Sequence, residues 1–499
     1  MLYPLSFYRF YRKNRFAEAL ASLRKGTCVR YSDELWACYR LGMYCTVKES
    51  GRADNHWKGI FASSVSLAAC GSNVEAADLA RRLVKGRVKD GPRTLLADAL
   101  APFLPELSLE LIEGAIAPTG FQAALLLNNG NNMEARSLLE RALEKGDARH
   151  NPELCLFMSN AEQGDNERKL ERLNAFLDVS ALSPVALRDP DKAPCPWNIH
   201  SAVELPGIDG PLVSVLMTAY ESARHIDTAI SSLMQQTWRN IELIIIDDAS
   251  TDNTGDVVRE WMAQDARIRY IRLPYNAGTY VAKNIGLQYA KGEFVTCHDS
   301  DDWSHPLKIE RQVKPLMKDG SLVCTISDWI RMQDDGVYYA RQVYPLGRLN
   351  PSSPLFRRRE VLDVSGAWDC VRTGADSEFA ARLKLVFGRN AVLRLRQPLA
   401  FGAHRPGSLM TSPETGYSST GISPSRLAYW EAWTYWHIDT LRGGRKPQMP
   451  PGLLQQRPFV TDEKHIVPDI VIQNCLNCLS DNPVSFTENP RHQSHSLIS

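Results

Sequence analysis

Through the middle of the chain, short apolar runs alternate with amphipathic segments. The run at 212–217 ends in Thr218-Ala219-Tyr220, and Ile226, Ala229, Ile230 and Leu233 follow at helical spacing. A second buried-type strand at 242–246 ends in Asp247-Asp248-Ala249-Ser250-Thr251-Asp252. Val257, Val258 and Trp261 mark the apolar face of a helix from Thr254 to about Gln264, and a third strand is predicted at 268–273. Asn276-Ala277-Gly278 opens a helix carrying Ala282, Ile285 and Leu287, before a fourth apolar run at 292–297. Strands alternating with helices of this length predict a parallel sheet wrapped on both faces.

Polar residues recur where these strands end: Thr218, Asp248, Asn276 and Asp301. In open α/β sheets ligands bind at the carboxyl ends of strands, so one edge would gather these residues into one cleft. The fourth run leads directly into His298-Asp299-Ser300-Asp301-Asp302-Trp303. Three carboxylates this close repel one another unless a cation is present. Oxygen ligands without cysteine point to Mg²⁺ or Mn²⁺ rather than zinc. The competing reading is a solvated acidic turn that caps the next helix.

Taken together and in order, these motifs resemble a family 2 glycosyltransferase with the GT-A fold. The resemblance runs from about residue 211 to 404, roughly two-fifths of the chain. It is carried by residues 213–220, Gln235-Gln236-Thr237-Trp238, 244–252, 276–286, Asp299-Ser300-Asp301-Asp302-Trp303 and 374–379. It implies transfer of a sugar from a nucleoside diphosphate donor, a UDP-sugar, to an acceptor hydroxyl, with inversion at the anomeric carbon. Thr218, Tyr220, Asp248, Asn276, Asp299 and Asp301 are the implied nucleotide-sugar contacts. Asp301 and Asp302 are both candidate ligands for Mn²⁺ or Mg²⁺, with His404 as a further one. Asp376 is the candidate base and Glu378 the runner-up, which also stands one turn from Arg382 as an ion-pair partner. The family usually has Glu where this chain has Ala375, and Arg405 interrupts its His-Pro-Gly-Ser pattern. Arg405 is itself a candidate partner for donor phosphate. Helix capping by Asp248, Asp252 or Asp376 is the competing account of those acids.

Elsewhere composition narrows the field. Hydrophobic residues make up 44% and charged residues 23% of 499, ordinary for globular protein, and the net charge of +1 creates no global field for nucleic acid. Eleven scattered cysteines without a secretory signal read as reduced thiols and a cytoplasmic location. No apolar stretch has membrane-spanning length, and the Gln-x-x-Arg-Trp signature of membrane-embedded synthases is missing.

The expected organisation is a helical domain at 1–180, an extended proline-rich linker at 181–210, a GT-A catalytic domain at 211–405, a helical extension at 406–479 and a disordered tail at 480–499. In the first segment Asn73, Glu75, Ala76 and Leu79 recur as Asn132, Glu134, Ala135 and Leu138, and Gly130 and Gly164 share the 34-residue spacing of tetratricopeptide repeats. Such a domain would dock a protein partner or an extended acceptor, or simply buttress its neighbour. Basic and aromatic residues interleave from Phe7 to Arg15, which suits either a solvated helix or peripheral contact with the inner face of a membrane. The expected partners are a nucleotide sugar and a glycan or lipid-linked glycan acceptor, in bacterial capsule or O-antigen synthesis. The alternative class is a non-catalytic sugar-nucleotide or glycan-binding protein on the same fold. A nucleotidyltransferase is disfavoured, because no Gly-rich phosphate loop accompanies the first strand.

Overall fold

The structure is a computed structural model. It describes all residues except 1–4, 25, 27, 52–54, 86–88, 163–164, 406, 413, 455 and 482–499. Its centre is a ten-stranded mixed sheet. The strands, in chain order, are β1 (Val213–Ala219), β2 (Ile241–Asp247), β3 (Ile268–Arg272), β4 (Phe294–Asp299), β5 (Trp303–Ser304), β6 (Cys324–Met332), β7 (Tyr338–Tyr339), β8 (Arg348–Leu349), β9 (Leu355–Arg357) and β10 (Val392–Ala403). Their order is β3-β2-β1-β4-β9-β6-β10-β5, with β7 and β8 also paired to β6.

The first four strands are parallel, as their unbroken apolar runs require when both faces are covered. Alternate residues along β1 and β2 enter different cores. Val213, Val215, Met217, Leu243 and Ile245 pack with helices Ile226–Met234, Thr254–Gln264 and Lys308–Lys318. Leu216, Ile244 and Ile246 pack with helices Thr279–Tyr289 and Ala375–Val386. The sheet departs from the all-parallel expectation after β4. Strand β9 runs antiparallel to both β4 and β6, and β5 runs antiparallel to β10. The antiparallel strands β5, β7, β8 and β9 are two or three residues long, so no hydrophobic run announces them. The result is a mixed α/β sheet.

Twelve α-helices lie between Leu5 and Val179 among the described residues. Trp57–Ala69 and Asn73–Lys85 turn at Gly71, and Thr119–Asn128 and Asn132–Glu144 turn at Gly130; both glycines adopt the left-handed conformation. The Asn73 and Asn132 segments are therefore the second helices of two equivalent hairpins, with Ala76 and Ala135 both fully buried. Gly164, the other mark of the 34-residue spacing, lies outside the described residues.

The helical region shares one core with the sheet, in which Phe121, Leu156 and Phe157 join Trp303, Ile330 and Phe401. Residues 181–210 do not form the extended linker expected from their prolines. Val185–Leu187 and Ile199–Ser201 pair as a ladder, and Cys195 and Ile199 are fully buried. In the first helix, Tyr11 donates to Asp33 and Phe7 is buried, so these aromatic rings face inward. Among the described residues no helix is long and apolar enough to cross a membrane. Every described cysteine is a free thiol, with the Cys45 and Cys70 sulfurs 3.8 Å apart. The expected disordered tail falls almost wholly outside the described residues.

Candidate active site

The parallel order β3-β2-β1-β4 places the carboxyl ends of β1, β2 and β4 side by side. Thr218 on β1 stands in register with Ile246 on β2 and with Asp299 on β4. The side chain of Thr218 meets Thr279 at 2.8 Å. Tyr220 lies just past β1 and is half exposed.

Asp248 follows β2 and is buried. Its two oxygens accept the backbone N–H groups of Ala277 and Gly278 at 2.7 and 2.8 Å. Burial pushes its carboxyl up to about 6 against the pull of those two donors. Gly278 has φ +80° and opens helix Thr279–Tyr289, so glycine suits the turn that Asp248 holds. Asn276, on the same turn, is exposed. The neighbouring acid serves the scaffold, since Asp247 accepts from Tyr270 and from the Ser250 N–H. Asp252 accepts the Thr254 N–H at 3.0 Å, as expected of a residue just ahead of that helix.

The acidic motif forms the bend between β4 and β5. Asp299 accepts from Ser352 at 2.8 Å, and Asp301 pairs with Arg405 at 3.0 Å. Asp302 is buried and accepts the Ala403 N–H at 3.1 Å. Burial, and then the charges of Asp301 and Asp299, raise its carboxyl well above the usual range. Arg331 on β6 is lowered by burial, and the charges of Asp302, Asp301 and Asp299 oppose that shift. It donates to the Ala403 carbonyl at 3.2 Å, while its buried Nε has no partner. Beneath the motif lies Lys308, 1% exposed, whose ammonium also lacks a partner. Burial pulls Lys308 down to about 8 despite the nearby charges of Cys297, Asp302 and Asp299.

Asp376 is the second residue of helix Ala375–Val386, not its cap; the cap is Gly374. Its carboxylate accepts from Tyr280 at 3.0 Å and is paired with Lys283 at 3.4 Å. Burial raises it, Lys283 opposes that rise, and the charge of Asp299 adds to it, so the two acids share one electrostatic environment. Glu378 is fully buried in a two-pronged pair with Arg382, at 2.7 and 2.8 Å, and accepts from His437. These contacts hold it at about 2 despite its burial, and its oxygens are committed to structure.

His404 lies flat on Tyr339, with ring centres 3.7 Å apart. Burial, then Arg331, holds it down to about 4, so it is neutral near pH 7. Its buried Nδ1 has no partner. Among the described residues, no three His, Cys, Asp or Glu side chains are grouped to hold a metal. The cleft does offer paired carboxylates crowded by their own charge. That donor set suits an ion completed by substrate phosphate and water, as Mg²⁺ or Mn²⁺ often is.

The structure thus brings Thr218, Asp248, Asp299, Asp301, Asp302 and Asp376 to one side of the sheet. Motif reading passed over Lys283, Tyr280, Ser352, Arg331 and Lys308. Lys283 and Tyr280 lie inside the 276–286 motif, where a basic residue one turn after the helix start was the available signal. Arg331 and Ser352 come from late segments with no motif.

Residues 214–375 match the family model described as Glycosyl transferase family 2. Glycosyltransferase GlyG of Streptococcus pneumoniae is 33% identical over 128 residues, covering 26% of this chain and 42% of that protein. The putative teichuronic acid biosynthesis glycosyltransferase TuaG of Bacillus subtilis is 35% identical over 126 residues, 25% of this chain and 50% of that one. The UDP-Glc:alpha-D-GlcNAc-diphosphoundecaprenol beta-1,3-glucosyltransferase WfgD of Escherichia coli is 39% identical over 111 residues, 22% and 43% respectively. The chain therefore spans half or less of each of these relatives. Among solved structures, S. aureus TarS 1-349 in complex with UDP-GlcNAc aligns over 46% of this chain and 66% of that chain, at 20% identity and a TM-score of 0.36.

Proposed function

We propose that this chain, which carries a glycosyltransferase family 2 domain, transfers a sugar from a UDP-sugar to an acceptor hydroxyl with inversion, in the synthesis of a bacterial surface polysaccharide. The observation that carries this reading is Asp376, a buried carboxylate paired with a buried lysine and within the field of Asp299. A UDP donor is supported by the activity for which the WfgD relative is named, and a surface-polymer product by the teichuronic acid biosynthesis for which TuaG is named.

In this reading Asp248 and Thr218 flank the base, and Asp299 takes the ribose. The acceptor hydroxyl is a poor nucleophile until its proton is drawn away. Asp376 accepts that proton as the acceptor oxygen bonds to the anomeric carbon and the bond to the diphosphate oxygen breaks. Lys283 keeps Asp376 ionised against its burial. Tyr280 fixes the carboxylate's orientation. Asp301 and Asp302 would hold Mn²⁺ or Mg²⁺ together with the diphosphate. Bound there, the ion supplies positive charge for the departing diphosphate. Arg331, whose charged form those acids favour, adds positive charge near them.

The test is thermal-shift binding of UDP, GDP, CMP and dTDP, each with Mn²⁺ and with EDTA, followed by UDP release from UDP-sugars. A metal-dependent shift with UDP, together with slow metal-dependent hydrolysis of one UDP-sugar, is expected. Nucleotide binding without any turnover on UDP-sugars and candidate acceptors would favour a binding protein instead.

A further inference from the structure

Away from the cleft, the corner between helices Tyr44–Glu49 and Trp57–Ala69 brings two cysteines together. Cys45 is the second residue of the first helix, and Cys70 caps the carboxyl end of the second. Their sulfurs are 3.8 Å apart, close enough to share one S–H. Both side chains are only partly buried, whereas Cys155, Cys195, Cys297 and Cys324 are sealed in the interior. The S–H of Cys70, given to Cys45, holds the Cys45 thiol below its ordinary value, although burial and then Glu431 and Glu49 act the other way. The same bond, and then burial, raises Cys70. The thiolate is the form that attacks a disulfide sulfur, and on this pair it forms at Cys45.

The corner is also a seam. Glu431 of helix Pro424–Arg442 accepts the backbone N–H groups of Cys45 and Thr46 at 2.6 and 3.2 Å, and the Thr46 hydroxyl at 2.9 Å. Beside Cys70, residues 420–421 run close against 69–71. A Cβ at Gly71 would stand 3.1 Å from the Thr420 carbonyl, and one at Gly421 would stand 3.0 Å from the Ala69 carbonyl. Each cysteine therefore lies where the helical region meets the C-terminal extension. The sulfurs of a disulfide stand about 2 Å apart, so closing this pair needs side-chain rotation and a small shift at the corner.

We propose that Cys45 and Cys70 are a reversible dithiol–disulfide pair, oxidised by exchange with a small-molecule disulfide such as oxidised glutathione, and that the bond fastens this seam. The Cys45 thiolate attacks one glutathione sulfur, the glutathione S–S bond breaks, and one glutathione thiolate leaves. Cys70 gives up its proton and attacks the Cys45 sulfur, so the Cys45–Cys70 bond forms and the second glutathione thiolate leaves. The two thiol protons end on the two glutathione molecules, which gain the two electrons that the protein loses.

The full chain is equilibrated in glutathione buffers running from reducing to oxidising, quenched in acid, alkylated, digested and read by mass spectrometry. A peptide linked through Cys45 and Cys70 should grow as the buffer becomes oxidising and vanish with dithiothreitol. Cys70→Ser should stop the exchange at the mixed disulfide between Cys45 and glutathione. The wild-type arm decides the pairing by itself. Glutathione on both Cys45 and Cys70 with no linked peptide would overturn it, as would a Cys45 that stays reduced while the exposed Cys28 and Cys478 are modified. The oxidised wild type should unfold at least about 2 °C above the reduced protein, a difference that Cys70→Ser should lack. An equal or lower midpoint in the oxidised wild type would overturn the fastening role.

Discussion

The ammonium of Lys283 stands 3.4 Å from both carboxylate oxygens of Asp376, and the lysine side chain is only 2% exposed. Neither charge has bulk water to turn to, so each sets the protonation of the other. Burial alone would push Lys283 down, yet Asp376 raises it above its ordinary value. Asp376→Asn should leave UDP affinity nearly intact and lower turnover by about 10²–10⁴-fold, the range of a lost general base. Lys283→Met removes the one charge that holds Asp376 down. The acid limb of the kcat/KM profile should then move to higher pH, because the base ionises later. An unmoved limb would show that Lys283 does not tune Asp376.

Arg405 pairs with Asp301 at 3.0 Å. Asp301→Ala should weaken UDP binding with Mn²⁺ present and change it little in EDTA. Arg405→Gln frees the carboxylate, so the Mn²⁺ concentration needed for half-maximal UDP binding should fall. A uniform loss of UDP affinity in Arg405→Gln, with and without metal, would instead place that guanidinium on the diphosphate.

The Asp248 carboxyl is pushed up to about 6, and only its ionised form accepts a uracil N–H without a proton of its own to place. Uridine, which has no phosphate titrating nearby, should therefore bind well above pH 6 and progressively more weakly as pH falls through that value. Asp248→Asn should flatten the dependence. Competition of uridine against a fluorescent UDP analogue from pH 5 to 8 reads this out.

Lys308 concerns stability rather than turnover. Its folded value of about 8 lies below the ordinary lysine value, so the folded state binds fewer protons than the unfolded chain between those two values. Stability from this group is therefore lowest below about pH 8 and recovers as pH rises toward the unfolded value. Lys308→Met removes a buried ammonium that has no partner. It should stabilise the protein at pH 7 by on the order of 3 kcal/mol and reduce the rise in stability above pH 8. Urea denaturation of both proteins at pH 7 and pH 9.5 checks it. A Met variant that is less stable at pH 7 would mean that Lys308 offsets the acids above it by more than its own burial costs.

The residues at the ends of β1, β2 and β4 are legible as a group in the sequence. Each strand is buried on both faces, so its side chains are apolar nearly throughout, and the polar residue that ends the run stands out. The partner of each acid is not legible there. Asp301 meets Arg405 from 104 residues away, Asp299 meets Ser352 from 53, and Asp376 meets Lys283 from 93. Glu378 shows the opposite case. Its pairing with Arg382 is a one-turn helical neighbourhood, readable from spacing alone.

The amino-acid pattern by itself determined the parallel half of the sheet, the helices that cover it, the acids at its carboxyl edge and the twin hairpins marked by Asn73 and Asn132. All of these depend on local periodicity, a property of neighbouring residues. Only the tertiary structure decided that short antiparallel strands enter the sheet after β4, that residues 181–210 pack rather than extend, and that His404 stacks on Tyr339. It also decided that residues 449–454, more than 160 positions downstream of Leu287, line one cavity with helix Thr279–Tyr289. Those outcomes depend on which distant segments bury one another's apolar surface and satisfy one another's charges. That is a property of the packed chain, and no stretch of it carries the information alone.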